Sequence, residues 1–335
     1  MTVIMTMTVN EQILKGASDV LLKYDNWIIF THRRPDGDAV GSVTALITAG
    51  LKNHKQIKWF GVECELPTRY DFLPNINYYE ACSNDSVFND SDVLYIFLDC
   101  ANETRSIKNF PAGYHSINID HHEDNNLYAE YNCVDGQSSS TCEMLLRIFK
   151  AGNWNLDKQI AECLFTGIYT DTGGFAFTST SALTHNLVAD LINLGVDSGH
   201  MTDLINQNWT ESGALLWSRA FNHIKILGGV FLVAYLQLQD YKDTHASSAD
   251  NEGLPNILMS IRDIKFVALI SESFSGEIRA SFRSREGIDF GAGEIARMFG
   301  GGGHERAAGA TLKGTLDECL IEVENLLLSK YKCQE

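Results

Sequence analysis

Residues 27–51 read WIIFTHRRPDGDAVGSVTALITAGL. The first five, WIIFT, form a short apolar run bounded by polar residues, the pattern of a strand covered on both faces. From Ala39 to Leu51 the apolar residues fall at helical spacing. A buried strand passing directly into an amphipathic or buried helix is the repeating unit of an α/β fold. The seven residues between them, HRRPDGD, bring His32, Asp36 and Asp38 to the point where strand gives way to helix.

The same pattern recurs outward from this stretch. VLYIFL (93–98) ends at Asp99, and SINI (116–119) ends at Asp120, His121 and His122. Helical periodicity covers 11–23, 142–151, 157–170 and 181–194, and Asp171 lies at the end of one of these in TGIYTDTGGF. The alternation predicts a doubly wound, mainly parallel sheet over residues 1–194, with helices on its faces. Residues 195–224 are polar and helical, and read as a linker. A smaller α/β domain is expected over 225–335, with strands at 230–238, 266–273 and 277–284, then a helix and glycine cluster in GAGEIARMFGGGGHERAAGA, a last strand and a final helix.

The chain has 335 residues, 44% of them hydrophobic, enough for about two domains with their own cores. It has no apolar run approaching the roughly 18 residues of a membrane span, and no basic segment ahead of an apolar run at its start, so a cytoplasmic protein is expected. Eight cysteines are scattered without a C-x-x-C pair, which points to reduced thiols rather than a zinc knuckle or redox motif. A formal charge of −17 opposes broad adhesion to long nucleic acid or an anionic membrane. A short phosphorylated ligand in a local pocket remains compatible with it, and bound cations would offset part of the excess.

In an open parallel sheet, ligands bind outside the carboxyl ends of the strands. Each acidic or histidine motif stands there, and neighbouring strands are about 4.8 Å apart, so their side chains can converge. Taken singly, each has a plainer reading. Asp36-Gly37-Asp38 could be a turn with a helix cap, Asp99 a loop cap, Asp171 an Asx-turn, and His121-His122 two solvated imidazoles. Four such loops at one sheet edge favour a metal site. Several carboxylates with two histidines and no thiolate suit Mn²⁺ or Mg²⁺ better than structural zinc, with Zn²⁺, Co²⁺ or Fe²⁺ also able to occupy the site, and two divalent cations, Mn²⁺ foremost, would support attack on phosphorus.

In this order, THRRPDGDAVGS, FLDCANETR, NIDHHEDN and TGIYTDTGGF resemble the four motifs of the DHH phosphoesterase superfamily. EIRASFRS and GGGGHERAAGA resemble the associated C-terminal domain of its branch of nanoRNases, oligoribonucleases that also act as 3′-phosphoadenosine 5′-phosphate phosphatases. The resemblance implies that His32, Asp36 and Asp99 hold one metal, and that Asp38, Asp99, His121 and Asp171 hold the other, with Asp99 as the bridge. It implies that His122 meets the substrate phosphate while Asp120 orients a histidine. It further implies that Arg283, Ser284, Arg285, Gly301, Gly302, Gly303 and His304 bind substrate, with the active site in the cleft between domains. The expected activity is hydrolysis of short RNA to mononucleotides and of 3′-phosphoadenosine 5′-phosphate to AMP. A linear or cyclic dinucleotide phosphodiesterase, a RecJ-like single-strand exonuclease and a non-catalytic nucleotide sensor are the alternatives. A homodimer is left open.

Overall fold

The computed structural model describes residues 10–61, 66–81, 92–106, 113–206, 210–251, 253–285 and 287–332. It falls into two compact units that meet in sequence between Asn208 and Trp209. Cys64, Cys82 and Cys333 lie outside the described residues.

The first unit is built on six strands: β1 (Asn26–Phe30), β2 (Gln56–Gly61), β3 (Tyr79–Ala81), β4 (Val93–Leu98), β5 (Ser116–Asp120) and β6 (Tyr131–Val134). Their order is β3-β2-β1-β4-β5-β6, and every neighbouring pair is parallel. The chain therefore winds outward from β1 to β3, then returns to the other side of β1 and winds out to β6. The reversal falls between β1 and β4, where an open sheet leaves a crevice beyond its carboxyl ends. Register pairs Phe30 with Phe97, so the residues that follow the two strands emerge side by side. All residues of β4 and β5 are buried: β4 is an unbroken apolar run, and β5 buries Ser116, Asn118 and Asp120 beside its two isoleucines. The sequence reading missed β2, β3 and β6, which are short or carry exposed residues and lack that signature.

Six helices complete this unit: α1 (Glu11–Lys23), α2 (Gly37–Lys52), α3 (Thr141–Ala151), α4 (Lys158–Asp171), α5 (Ala182–Asn193) and α6 (Ser198–Asn206). Asp36 caps α2, accepting from the Asp38 and Ala39 amides at 3.1 and 3.2 Å. The cap reading and the strand-end cluster thus fall on one residue. From Gly37 to Gly50 every residue of α2 is buried, as an apolar helix without a polar face must be. Its close neighbour is α4, and a Cβ on Gly41 would stand 2.7 Å from the Cys163 carbonyl oxygen.

The second unit has a mixed sheet of β7 (Lys225–Leu227), β8 (Phe231–Leu236), β9 (Phe266–Glu272), β10 (Ile278–Ser284), β11 (Gly302–Gly303) and β12 (Ala307–Leu312), in the order β11-β12-β10-β9-β8-β7. Only β8 and β9 run parallel. Alternate side chains supply two cores. Phe231, Phe266 and Phe282 pack with α10 (Ala292–Met298) and α11 (Leu316–Lys332), while Leu232, Val267 and Leu269 pack with α7 (Glu211–Asn222), α8 (Leu238–Thr244) and α9 (Leu254–Met259). The helices expected as a free-standing linker are divided. Met201 and Ile205 of α6 join the first unit's core, and Leu216 and Trp217 of α7 join the second's. Gly41→Val should lower the urea midpoint without changing the slope, by about 1–3 kcal/mol, since the methyls must displace a helix backbone.

Candidate metal centre

His32 follows β1 directly. Its Nδ1 lies 2.7 Å from the Arg33 carbonyl oxygen, which places a ring proton there and, in the neutral ring, leaves the lone pair on Nε2. That nitrogen stands 3.3 Å from Asp99 Oδ2 and 3.9 Å from Asp36 Oδ1. Asp99 ends β4 with a φ of +55°, in the left-handed region that few residues other than glycine, Asn and Asp adopt. The strained turn is fixed by its amide, which donates to the Ile119 carbonyl on β5 at 3.1 Å, and its carboxylate is buried.

Asp38, in the first turn of α2, is 1% exposed. It is held by the start of α3: Oδ2 accepts the Thr141 N–H at 2.6 Å and Oδ1 accepts the Cys142 N–H at 2.9 Å. These are amides that a helix leaves without internal partners, at the positive end of its dipole. The Thr141 hydroxyl donates to Asp99 Oδ1 at 3.2 Å, so one residue touches both carboxylates. His121 has Nδ1 3.4 Å from the Ser138 carbonyl oxygen, while Nε2 lies 3.3 Å from Asp171 Oδ2, 3.6 Å from Asp99 Oδ1 and 3.9 Å from Asp38 Oδ2. Asp171 is the last residue of α4. The turn after it is closed by backbone bonds from Gly173 to Thr170 and from Gly174 to Tyr169, which leaves its carboxylate to face His121.

His122 is arranged differently. Its Nδ1 is 2.7 Å from Asp120 Oδ1, and Asp120 also accepts the His121 amide at 2.9 Å and the Asn125 side-chain amide at 2.6 Å. The imidazole is thereby oriented with Nε2 away from its carboxylate partner.

The donor atoms of His32, Asp36 and Asp99 lie within 4.8 Å of one another, as do those of Asp38, Asp99 and His121. Asp99 belongs to both sets, the arrangement a carboxylate bridging two cations would need. Asp99, Asp120 and His122 meet the same distance, but the Asp120 oxygens are already taken up by hydrogen bonds.

So many carboxylates in one buried place repel one another. Burial and the Asp99 charge push Asp38 up to about 7. Burial together with Asp38, Asp36 and Asp99 pushes Asp171 well above the carboxylate range. Burial acts on Asp99 too, but the hydrogen bond from His32 and the charges of His122, His32 and His121 overcome it and hold Asp99 well below that range. For all three histidines, the surrounding carboxylates outweigh burial and raise the pKa. The centre is thus short of positive charge, and divalent cations supply it. The nearby thiol is no competitor: burial and the Asp38 charge keep Cys142 protonated. Carboxylate and imidazole donors without thiolate fit Mn²⁺ or Mg²⁺.

The residues missed from sequence are those that hold the donors: Ser138, Thr141, Cys142 and Asn125. SSSTCE does carry a helix-start signal, with Ser140 capping the Glu143 amide at 3.0 Å. What that helix would point at, 103 residues back along the chain, has no signal in the sequence.

In the second unit, Arg283 lies on the partly exposed face of β10 with Nε donating to Asn256 Oδ1 at 2.6 Å, and Arg285 and His304 are exposed. Ser284 is expected among the same substrate contacts. Its side chain is buried, donates to the Glu305 carbonyl at 2.9 Å and accepts the Ala292 amide at 3.0 Å, so it staples the sheet to α10. The glycine cluster is not a hinge. Gly302 and Gly303 pair with β12 as β11, and a Cβ on Gly301 would meet the Gly309 carbonyl at 2.2 Å.

Residues 26–168 match the model of the DHH family N-terminal domain, and residues 228–329 match that of the DHHA1 domain. A bifunctional oligoribonuclease and PAP phosphatase NrnA from Thermus thermophilus is 30% identical over 291 residues, which span 85% of this chain and 84% of that protein. The chain belongs to the DHH family. Another relative with the same name, from Bacillus subtilis, is 28% identical and covers 90% of this chain and 95% of its own. The DHH fold is shared with a crystal structure of an exopolyphosphatase-related protein from Bacteroides fragilis, with a TM-score of 0.88, 23% identity, and 98% and 99% of the two chains covered. RecJ from Thermus thermophilus in complex with Mn²⁺ superposes with a TM-score of 0.56 at 12% identity, covering 98% of this chain and 56% of RecJ. Among the described residues, no helix is long and apolar enough to cross a membrane.

The raised groups give the metal-free protein a pH dependence of one sign. A carboxyl or imidazole whose pKa is raised by folding binds more protons folded than unfolded, so stability falls as pH rises between about 4 and 8. Melting after EDTA treatment should therefore occur at lower temperature at pH 8 than at pH 5.5. Mn²⁺ should reverse the trend, since binding displaces protons that are already gone at pH 8, and should add about 2.7 kcal/mol per site at a hundredfold excess over Kd.

Proposed function

We propose that this protein is a metal-dependent phosphoesterase that degrades short RNA oligonucleotides to mononucleotides and converts 3′-phosphoadenosine 5′-phosphate to AMP. The observation that carries the reading is the double membership of Asp99, whose carboxylate reaches both candidate ligand sets. The names of the Thermus and Bacillus relatives supply the substrate class.

In this reading His32, Asp36 and Asp99 hold one Mn²⁺, and Asp38, Asp99, His121 and Asp171 hold the second. Such ions supply positive charge against the phosphate and make water a competent nucleophile near neutral pH. The protein's own contribution is to fix the donors: carbonyl oxygens orient His32 and His121, and the α3 amides orient Asp38. His122, anchored by Asp120, would hydrogen-bond the scissile phosphate and deliver a proton to the leaving oxygen. The raised pKa of His122 favours the protonated form that role needs.

The second unit would take the rest of the substrate through Arg283, Ser284, Arg285 and the Gly301–His304 segment. Arginine forks and glycine amides are the groups that match phosphate oxygens. A short chain is the preferred ligand, because a net charge of −17 disfavours extended nucleic acid. The cysteines in the described part, Cys100, Cys133, Cys142, Cys163 and Cys319, are free thiols, in keeping with a cytoplasmic protein.

End-labelled RNAs of two to five nucleotides, beside 3′-phosphoadenosine 5′-phosphate, should be hydrolysed in Mn²⁺ and spared in EDTA. Asp99→Ala should abolish both activities, and undiminished turnover by that variant would sink the proposal. His122→Ala should retain Mn²⁺ uptake in calorimetry while kcat falls by about 10²- to 10⁴-fold. His121→Ala should instead lose uptake at one of the two positions.

A further inference from the structure

Glu143 is 1% exposed, and among the described residues no basic side chain pairs with it. Two hydroxyls converge on its Oε2, each at 2.7 Å: Ser139 Oγ from the turn before α3, and Thr184 Oγ1 from the first turn of α5. A carboxylate withdrawn from water for two neutral hydrogen bonds is costly, and capping does not require it, because the Ser140 side chain already caps α3. Its position gives it another use. Ser138, Ser139, Ser140 and Thr141 are all buried, and this turn supplies the Ser138 carbonyl oxygen facing His121, the Thr141 amide on Asp38 and the Thr141 hydroxyl on Asp99. Thr184 pairs with Ser181 in the box that starts α5, where the segment leaving Asp171 ends. Glu143 therefore ties the turn that grips Asp38 and His121 to the segment that follows Asp171.

We propose that Glu143 is a positioning residue that sets the affinity of the metal position made by Asp38, Asp99, His121 and Asp171, without contributing a ligand to it. This rests on the two-metal reading above. Of the His32, Asp36 and Asp99 set the turn reaches only the shared Asp99, through the one Thr141 hydroxyl, while His32 is oriented by the Arg33 carbonyl and Asp36 by the start of α2. Loss of the carboxylate frees the Ser139 turn and relaxes three donors of one set together. Partners of metal ligands at this remove set affinity by about 10- to 100-fold.

The test is a Mn²⁺ titration of the full chain by calorimetry, with the two binding phases assigned beforehand using His32→Ala. Glu143→Ala should weaken the phase that survives His32→Ala by about tenfold or more, and leave the other in place. The Mn²⁺ concentration for half-maximal dinucleotide hydrolysis should rise in step, with kcat at saturating Mn²⁺ retained. Glu143→Gln keeps an acceptor oxygen and should restore most of the affinity. Ser139→Ala, which removes a single donor and no buried charge, should weaken the same phase should the alanine variant at 143 not fold. A lowered melting temperature with both phases unchanged, or an equal fall in both, would overturn the inference. If the unmutated protein takes up no Mn²⁺, the two-metal reading fails and this one with it; if it takes up two and the variants match it, only this one fails.

Discussion

Asp99 stands at the end of β4 with a φ of +55°, its carboxylate 3.3 Å from one imidazole and 3.6 Å from another, and the first unit is shaped around burying that group. The left-handed turn works because the adjacent strand accepts the Asp99 amide, which requires β4 and β5 to run parallel and in register. The same parallel order sets β1 beside β4 on the other side, so that His32 arrives from the neighbouring strand end. One backbone conformation thus depends on two strand pairings.

Around Asp99 the fold gathers further carboxylates that repel it and one another. The counterweights are partial. Three imidazoles carry some of the charge, and the start of α3 turns two amides toward Asp38. The Asp38 carboxyl nonetheless sits near 7, so hydrogen bonds and dipoles alone do not balance the site. A protein that held such a cluster for stability alone would replace it with apolar residues at no loss. Keeping it is the mark of a site built for cations.

The second unit follows a different logic. Its sheet is covered on both faces, and its glycine segment is paired backbone rather than loose chain. Its surface carries exposed carboxylates such as Asp243, Glu305 and Glu318 beside the exposed Arg285 and His304.

Much of this was legible in the chain. The unbroken apolar run before Asp99 and the isoleucines before Asp120-His121-His122 marked the inner strands, because strands buried on both faces are largely apolar, and the residues that end them stand at the carboxyl edge. The polar edge strands β2, β3 and β6 carried no such mark. The burial of Ser284 was visible in parity: Ile278, Ala280 and Phe282 precede it at every second position, so it belongs to the buried face of β10. The sequence by itself determined the ligand types, their places at strand ends and the class of fold. Tertiary structure alone decided the strand order, which brings Asp38 to Thr141 and Glu143 to Thr184, since contacts across so many residues depend on how the sheet winds and not on any local pattern.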